Sequence, residues 1–214
     1  MTISKTIHHI WLGKNEMPPL YKHCISTWSK EHPDWDIKLW TEESIDFSNK
    51  YIEKALKDKN YAFASDCLRV HILRIYGGVY LDVDIEIVKP LDELLDISSF
   101  LGYERENRVN CAVMGFESNH WLLNELCDYY DNHVGQYKAI PRIVSEIIEK
   151  CGHRDVKIYE PAYFYPYNPF IENKPKQLMY KDITPNTYAI HHWGNSWSIS
   201  SFQKLKNLCL KLLK

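Results

Sequence analysis

The 214-residue sequence contains no Cys-x-x-Cys pair, and its six cysteines (Cys24, Cys67, Cys111, Cys127, Cys151, Cys209) lack the spacing of a zinc site. They read as reduced thiols, which gives a cytosolic compartment as the expectation. No apolar run is long enough to cross a bilayer. The opening Met1-Thr2-Ile3-Ser4-Lys5 passes directly into a strand-like run, without the charged and apolar regions of an export leader. Any membrane contact is therefore expected to be peripheral. A surplus of basic charge is also missing: 26 Lys and Arg against 28 Asp and Glu give a net charge of −2, so no broad field is available to hold nucleic acid. There is no P-loop, internal repeat or low-complexity linker. What remains, 45% hydrophobic and 25% charged residues, is the composition of a soluble globular chain, and its length suits a single domain with one good core. Aromatics reach 14%, which suits both a large core and the stacking of bases or sugar faces.

The chemistry concentrates between Phe63 and Asp84. Leu68, Ile72, Ile75 and Tyr76 recur at helical spacing, with Ser65 as the expected N-cap. Gly77-Gly78 then permits a tight reversal into Val79-Tyr80-Leu81-Asp82-Val83-Asp84. In an extended strand, Asp82, Asp84 and Glu86 would share one face and Val83, Ile85 and Ile87 the other. Paired carboxylates of this kind either hold one hard cation, together with phosphate oxygens, or form a solvated rim. Tyr80 alternates with the two aspartates, and its phenol is placed to reach a ribose or phosphate. Asp66 and Arg69 share a helical face. They read either as a local ion pair or, if the helix lies beside the strand, as a pair bordering the carboxylates and binding a polyhydroxylated, phosphate-bearing ligand.

Along the chain, the pattern predicts a buried strand over Thr6 to Leu12, a helix from Leu20 to Ser29 and a strand from Asp36 to Trp40. A helical stretch capped by Thr41 is expected to run to about Lys57, followed by the Ser65 to Tyr76 helix and the acidic strand. This βαβαβ order argues a parallel sheet with ligands at the carboxyl ends of its strands. Beyond Pro90 we expect a strand over Cys111 to Phe116, helices over Trp121 to His133 and Pro141 to Cys151, an irregular Pro- and Tyr-rich region over Glu160 to Pro175, and a last strand over Thr187 to His192. Asn110 reads as a sugar or acceptor contact or as a simple turn residue. An Asp-x-Asp pair leaves a cation short of protein ligands, so a distant segment must supply another, and His191 or His192 offers an imidazole. Adjacent strand residues face opposite ways, so only one of them can serve.

Four ordered blocks resemble the DxD-containing sugar transferases of glycosyltransferase family 32, distant relatives of the glucosyltransferase domains of the large clostridial toxins. They are Ile7-His8-His9-Ile10-Trp11-Leu12-Gly13, Ala64-Ser65-Asp66 with Arg69, Tyr76 through Asp84, and His191-His192-Trp193-Gly194-Asn195-Ser196-Trp197. The resemblance implies an α/β, single-domain GT-A fold, Rossmann-like, with a mainly parallel central sheet. It implies division into a nucleotide-sugar half over 1–90, an acceptor half over 91–199 and a terminal helix over 200–214. It also implies that Trp11, which alone would read as core, stacks on the base, and it favours His191 as the metal ligand with His192 as the alternative. Ser196 and Trp197 look like a Ser and a Trp that the toxin relatives place near the diphosphate, although the spacing differs.

The resulting expectation is a retaining hexosyltransferase using a nucleotide diphosphate sugar, UDP-sugar favoured, with Mn²⁺ or Mg²⁺. Asp84 would bind the cation directly, and Asp82 the cation together with the ribose. Arg69 would neutralise the departing diphosphate, while Asp66 would hold sugar hydroxyls. No side chain stands out as base or nucleophile, which fits a front-face reaction in which the departing phosphate takes the acceptor proton. The acceptor would be a carbohydrate or lipid-linked saccharide, and the resemblance points to bacterial capsule or lipopolysaccharide synthesis. The tail, with Leu205, Leu208, Leu212 and Leu213 set against Lys204, Lys206, Lys211 and Lys214, reads as an amphipathic helix docked on the domain or resting on an anionic leaflet. A metal-dependent phosphoryl transferase and a non-catalytic carbohydrate-binding module are the competing readings.

Overall fold

A computed structural model describes residues 2–45 and 48–194. Ser196, Trp197 and the 200–214 segment lie outside the described residues. The chain begins with strand β1 (Thr6–Ile10), helix α1 (Pro19–Glu31), β2 (Asp36–Trp40), α2 (Lys50–Lys57), α3 (Tyr61–Tyr76) and β3 (Gly78–Leu81). There follow β4 (Ile85–Ile87), β5 (Ser99–Arg105), β6 (Arg108–Phe116), α4 (Trp121–Asn132), α5 (Ile140–Cys151), β7 (Val156–Tyr159) and β8 (Ala189–His191).

Six strands form one sheet in the order β2-β1-β3-β6-β5-β7. β1 pairs in parallel with both β2 and β3, and β5 with β7; β6 runs antiparallel to its two neighbours, β3 and β5. The sheet is thus mainly parallel, with the βαβαβ order of the first half realised in it. One core, with Leu68, Ile72, Leu126 and Val144, lies between the sheet and helices α2 to α5. The other, with Trp28, Ile85, Phe164 and Ala189, lies against α1, β4 and β8. Helices on opposite faces mean that the strand order reverses between β1 and β3. Their carboxyl ends, at Trp11 and Asp82, therefore flank the crevice where sheets of this kind bind ligands. Among the described residues no helix is long and apolar enough to cross a membrane.

Several expectations need correction. The acidic motif is not in a strand: β3 stops at Leu81, and the amide of Ile85 donates to the Asp82 carbonyl across a tight turn. The chain then leaves the main sheet and pairs, as β4, with β8. Ser65 is not a cap but a buried residue inside α3, which begins at Tyr61; Ile75 and Tyr76 at its end are exposed. The helix expected from Thr41 is confined to α2, capped by the Asn49 side chain, which accepts from the amides of Tyr51 and Ile52. Strands β5 and β7 were not read from the sequence at all. Gly77 and Gly78 do take positive φ (63° and 97°), and a Cβ on Gly78 would stand 2.7 Å from the Thr6 carbonyl oxygen.

Candidate active site

Asp82 and Asp84 project from the turn that the Ile85 to Asp82 hydrogen bond closes. The β4–β8 pairing sets His191 opposite Ile85, one residue beyond Asp84. That register brings His191 Nε2 to 3.2 Å from Asp84 Oδ2, and ligand atoms of Asp82, Asp84 and His191 all lie within 4.8 Å of one another. The next ring turns the other way: His192 Nε2 is 2.7 Å from Glu86 Oε2. Glu86 is thereby directed to His192 instead of sharing a face with the two aspartates.

Helix α3 supplies the neighbouring charges. Arg69 is buried, and its guanidinium reaches Asp66 Oδ1 at 3.0 Å and Asp82 Oδ1 at 3.3 Å while donating to the Cys111 carbonyl at 2.8 Å. It lies over the Tyr80 ring, 4.3 Å from the centroid. Tyr80 is buried, and its hydroxyl donates to Asp82 Oδ1 at 2.8 Å. The phenol expected to reach a ribose or phosphate thus meets Asp82 here and orients it. Asp66 Oδ2 also accepts the amide of Ile140, the first residue of α5, at 3.2 Å.

Two carboxylates, Asp66 and Asp82, meet one guanidinium, Asp84 adds a third negative charge that acts on Asp82, and the electrostatics reflect that excess. Burial pushes the Asp66 carboxyl up to about 6, against the opposing pull of Arg69 and the Ile140 amide. Burial also raises Asp82, with Arg69 opposing and Asp84 adding to the rise. At Asp84 burial acts in the same direction, but the His191 ring and the Gly194 amide outweigh it and hold this carboxyl below its ordinary range. Burial alone would lower Arg69; Asp82, Tyr80 and Asp66 keep it above its usual value, hence permanently charged. Two carboxylate oxygens and an imidazole with surplus negative charge form a donor set that suits a divalent cation.

Trp11, half-buried at the carboxyl end of β1, donates its indole N–H to the Asn15 carbonyl at 2.9 Å. Its ring meets Tyr21 edge-on at 6.0 Å. Tyr21 in turn donates to the Gly194 carbonyl at 3.0 Å, and the Gly194 amide donates to Asp84 Oδ2 at 2.7 Å. This chain joins Trp11 to the acidic turn, and sequence reading missed both middle members. Gly194 lies in the quoted C-terminal block, and the signal was its glycine: a Cβ there would stand 2.3 Å from the Tyr21 hydroxyl. Asn110 is tied down at both ends of its amide, donating to Glu104 Oε2 at 2.7 Å and accepting from the Ala112 amide at 2.8 Å.

A cavity of about 200 Å³ has walls that include Glu104, Tyr165, Tyr167, Asn168 and Lys174, and Tyr165 connects it to His191. Tyr165 meets the His191 ring edge-on at 5.8 Å, and Trp193 lies against that same ring at 4.2 Å. Trp193 holds a positive φ of 55° and donates its indole N–H to the Tyr167 carbonyl at 3.0 Å. Neither Tyr165 nor Trp193 was singled out from the sequence.

The chain is 34% identical over 218 residues to inositol phosphoceramide mannosyltransferase 1 of Schizosaccharomyces pombe, an alignment covering 91% of this chain and 62% of that protein. It is 25% identical to human lactosylceramide 4-alpha-galactosyltransferase, over 70% of this chain and 46% of the relative. The chain thus spans about half to two thirds of the length of these relatives. Among solved structures, the PaToxG glycosyltransferase superposes with a TM-score of 0.57 at 20% identity, covering 72% of each chain, which shows a shared GT-A fold. Residues 18–101 match the family described as the glycosyltransferase sugar-binding region containing a DXD motif, and Asp82-Val83-Asp84 supplies that motif.

Proposed function

We propose that this chain transfers a hexose, with retention of configuration, from a nucleotide diphosphate sugar to the saccharide or headgroup of a lipid-linked acceptor. The observation that carries this reading is the convergence of Asp82, Asp84 and His191 within 4.8 Å, with the buried Arg69 in contact with Asp82 and Asp66 beyond it. These three side chains would hold a divalent cation. The imidazole in the set favours Mn²⁺ over Mg²⁺, which prefers an all-oxygen shell. When bound, such a cation supplies Lewis-acid neutralisation of charge on the departing diphosphate.

The protein's own groups supply the rest. Arg69, held rigidly by Asp66, Asp82 and Cys111, presents a fixed positive charge beside the acidic turn. Asp66 accepts hydrogen bonds from donor sugar hydroxyls, and Trp11 offers a ring on which the base stacks. Asn110 and the cavity with Glu104, Tyr165 and Tyr167 form the acceptor side. Ser196 and Trp197, beyond the described residues, follow Gly194 closely enough in sequence to contact the diphosphate. A UDP-sugar is our first candidate donor. Lipid acceptors are supported by two relatives whose names specify inositol phosphoceramide and lactosylceramide. A role in assembling surface glycolipid or polysaccharide follows from that reading, the bacterial capsule and lipopolysaccharide pathways included.

The test is a panel of UDP- and GDP-sugars incubated with the protein and Mn²⁺. Release of the nucleotide diphosphate from one sugar, lost on chelation and in Asp84→Asn, is the expected result. Failure of every donor in the presence of metal would remove the transferase reading.

A further inference from the structure

Part of the cavity wall is built by a segment that also carries the two most exposed large apolar side chains of the described residues. Tyr180 is 95% exposed and Phe170 61%, and Met179 (36%) and Ile183 (40%) are partly exposed beside them. Lys174, Lys176 and Lys181 are exposed in the same stretch. Its two acidic residues are Glu172 and Asp182, and the Asp182 carboxylate is turned back to accept the Met179 amide at 2.8 Å. Apolar side chains left this open to water within one short segment mark a surface that another apolar phase can cover. Rings and aliphatic groups interleaved with lysines are what the interface of an anionic bilayer accepts: the rings sit at headgroup depth, and the ammonium groups meet lipid phosphates and carboxylates.

The segment is joined to the site. Its Ile171, Lys174, Pro175 and Asp182 line the cavity described above. Phe170 meets the Trp193 ring edge-on at 5.7 Å, and Trp193 lies 4.2 Å from the His191 ring. A lipid lying under this segment would present its headgroup at the mouth of the cavity, within one layer of side chains from the acidic turn. We propose that residues 170–183 form a lip that rests on an anionic membrane surface and delivers the headgroup of a lipid-linked acceptor to that cavity. The delivery step rests on the transferase reading given above. The membrane contact does not.

The experiment is co-sedimentation of the full chain with vesicles of phosphatidylcholine containing phosphatidylserine, run alongside donor hydrolysis in solution. Tyr180→Ser with Met179→Ser alters exposed side chains only and should lower vesicle affinity about tenfold, by removal of buried apolar area at the interface. Lys176→Gln with Lys181→Gln should lower it about fivefold per lysine at low salt, and not at all on neutral vesicles. Both variants should hydrolyse donor at the parent rate. Full affinity in both variants would overturn the lip, as would an affinity lost only on deleting residues 200–214, which assigns membrane contact to the C-terminal segment. Loss of donor hydrolysis in the unaltered chain would sink the transferase reading and leave the vesicle result to be judged separately.

Discussion

The backbone amide of Gly194 donates to Asp84 Oδ2 at 2.7 Å, so an aspartate of the acidic turn is oriented by a residue 110 positions later in sequence. Tyr21 holds Gly194 from the other side through its carbonyl. Gly194→Ala is expected to force the two apart, because the added Cβ would stand 2.3 Å from the Tyr21 hydroxyl and 2.7 Å from its ring. The cost should be about 1–3 kcal/mol of stability, as for other overpacked sites. Activity should fall further than that loss explains, since Asp84 loses its donor. Melting temperature and turnover measured together check this; parent-level turnover would show that the Gly194 contact does not position Asp84.

Arg69 makes directed contacts at once to Asp66, Asp82, the Cys111 carbonyl, Ser65 and the Tyr80 face. A lysine is a point charge and cannot reproduce that fork. Arg69→Lys should therefore keep the net charge yet reduce kcat about 10²- to 10³-fold, the scale of losing one aligned electrostatic group. Arg69→Ala leaves Asp66 and Asp82 without their buried partner and should cost about 3–5 kcal/mol of stability. Steady-state kinetics of the lysine variant is the deciding readout, with a loss under threefold contrary to expectation.

How far the sequence revealed this arrangement depends on where the determining contacts lie. Strand β1 and helices α1, α4 and α5 follow from apolar periodicity, because each buries one stripe or run within its own segment, whereas β2, also expected, buries only Trp40. The break after Leu81 does not. Asp82-Val83-Asp84 alternates as a strand would, and the turn there exists because β4 leaves the sheet to pair with β8, far along the chain. The same distant pairing determines that Glu86 meets His192. Alternation at the end of β8 did separate the ring of His191, toward Asp84, from that of His192 just beyond the strand, toward Glu86. The Asn49 cap was hidden for a related reason: its side chain also binds Asp131 and His71, partners from other helices.

Acid stability should be governed by two histidines of β1. His8 Nδ1 accepts the Trp40 indole N–H at 3.2 Å, so with Nε2 3.0 Å from the Gly77 carbonyl the ring is neutral, with its proton on Nε2. Burial lowers His8 and His9 to about 4. Between about 4 and 6.5 the unfolded chain binds protons that these rings refuse, so stability falls as pH drops through that window. Asp66 acts with the opposite sign. Raised to about 6, it keeps a proton that the unfolded chain releases above about 4, and it opposes roughly one of the two histidines. Denaturant unfolding between pH 7 and 4 should show a net loss of stability, reduced in His9→Asn and enlarged in Asp66→Asn. A flat profile would contradict the neutral assignment of the β1 pair.

Trp11 is half-buried and placed where the strand order reverses. If its ring carries the base, Trp11→Ala should weaken donor binding by about 1–3 kcal/mol, the usual scale of base stacking on an aromatic side chain. Calorimetric titration of the nucleotide diphosphate separates this from packing. Unchanged affinity with a lowered melting temperature would make Trp11 a core residue.

The most direct test of the site is the Mn²⁺ dependence of donor hydrolysis in Asp84→Asn, His191→Ala and His192→Ala. The geometry predicts abolished activity in the first, a raised Mn²⁺ requirement with residual activity in the second, and a metal requirement equal to that of the parent in the third. Parent-like Mn²⁺ dependence in both Asp84→Asn and His191→Ala would contradict a cation held between the acidic turn and β8.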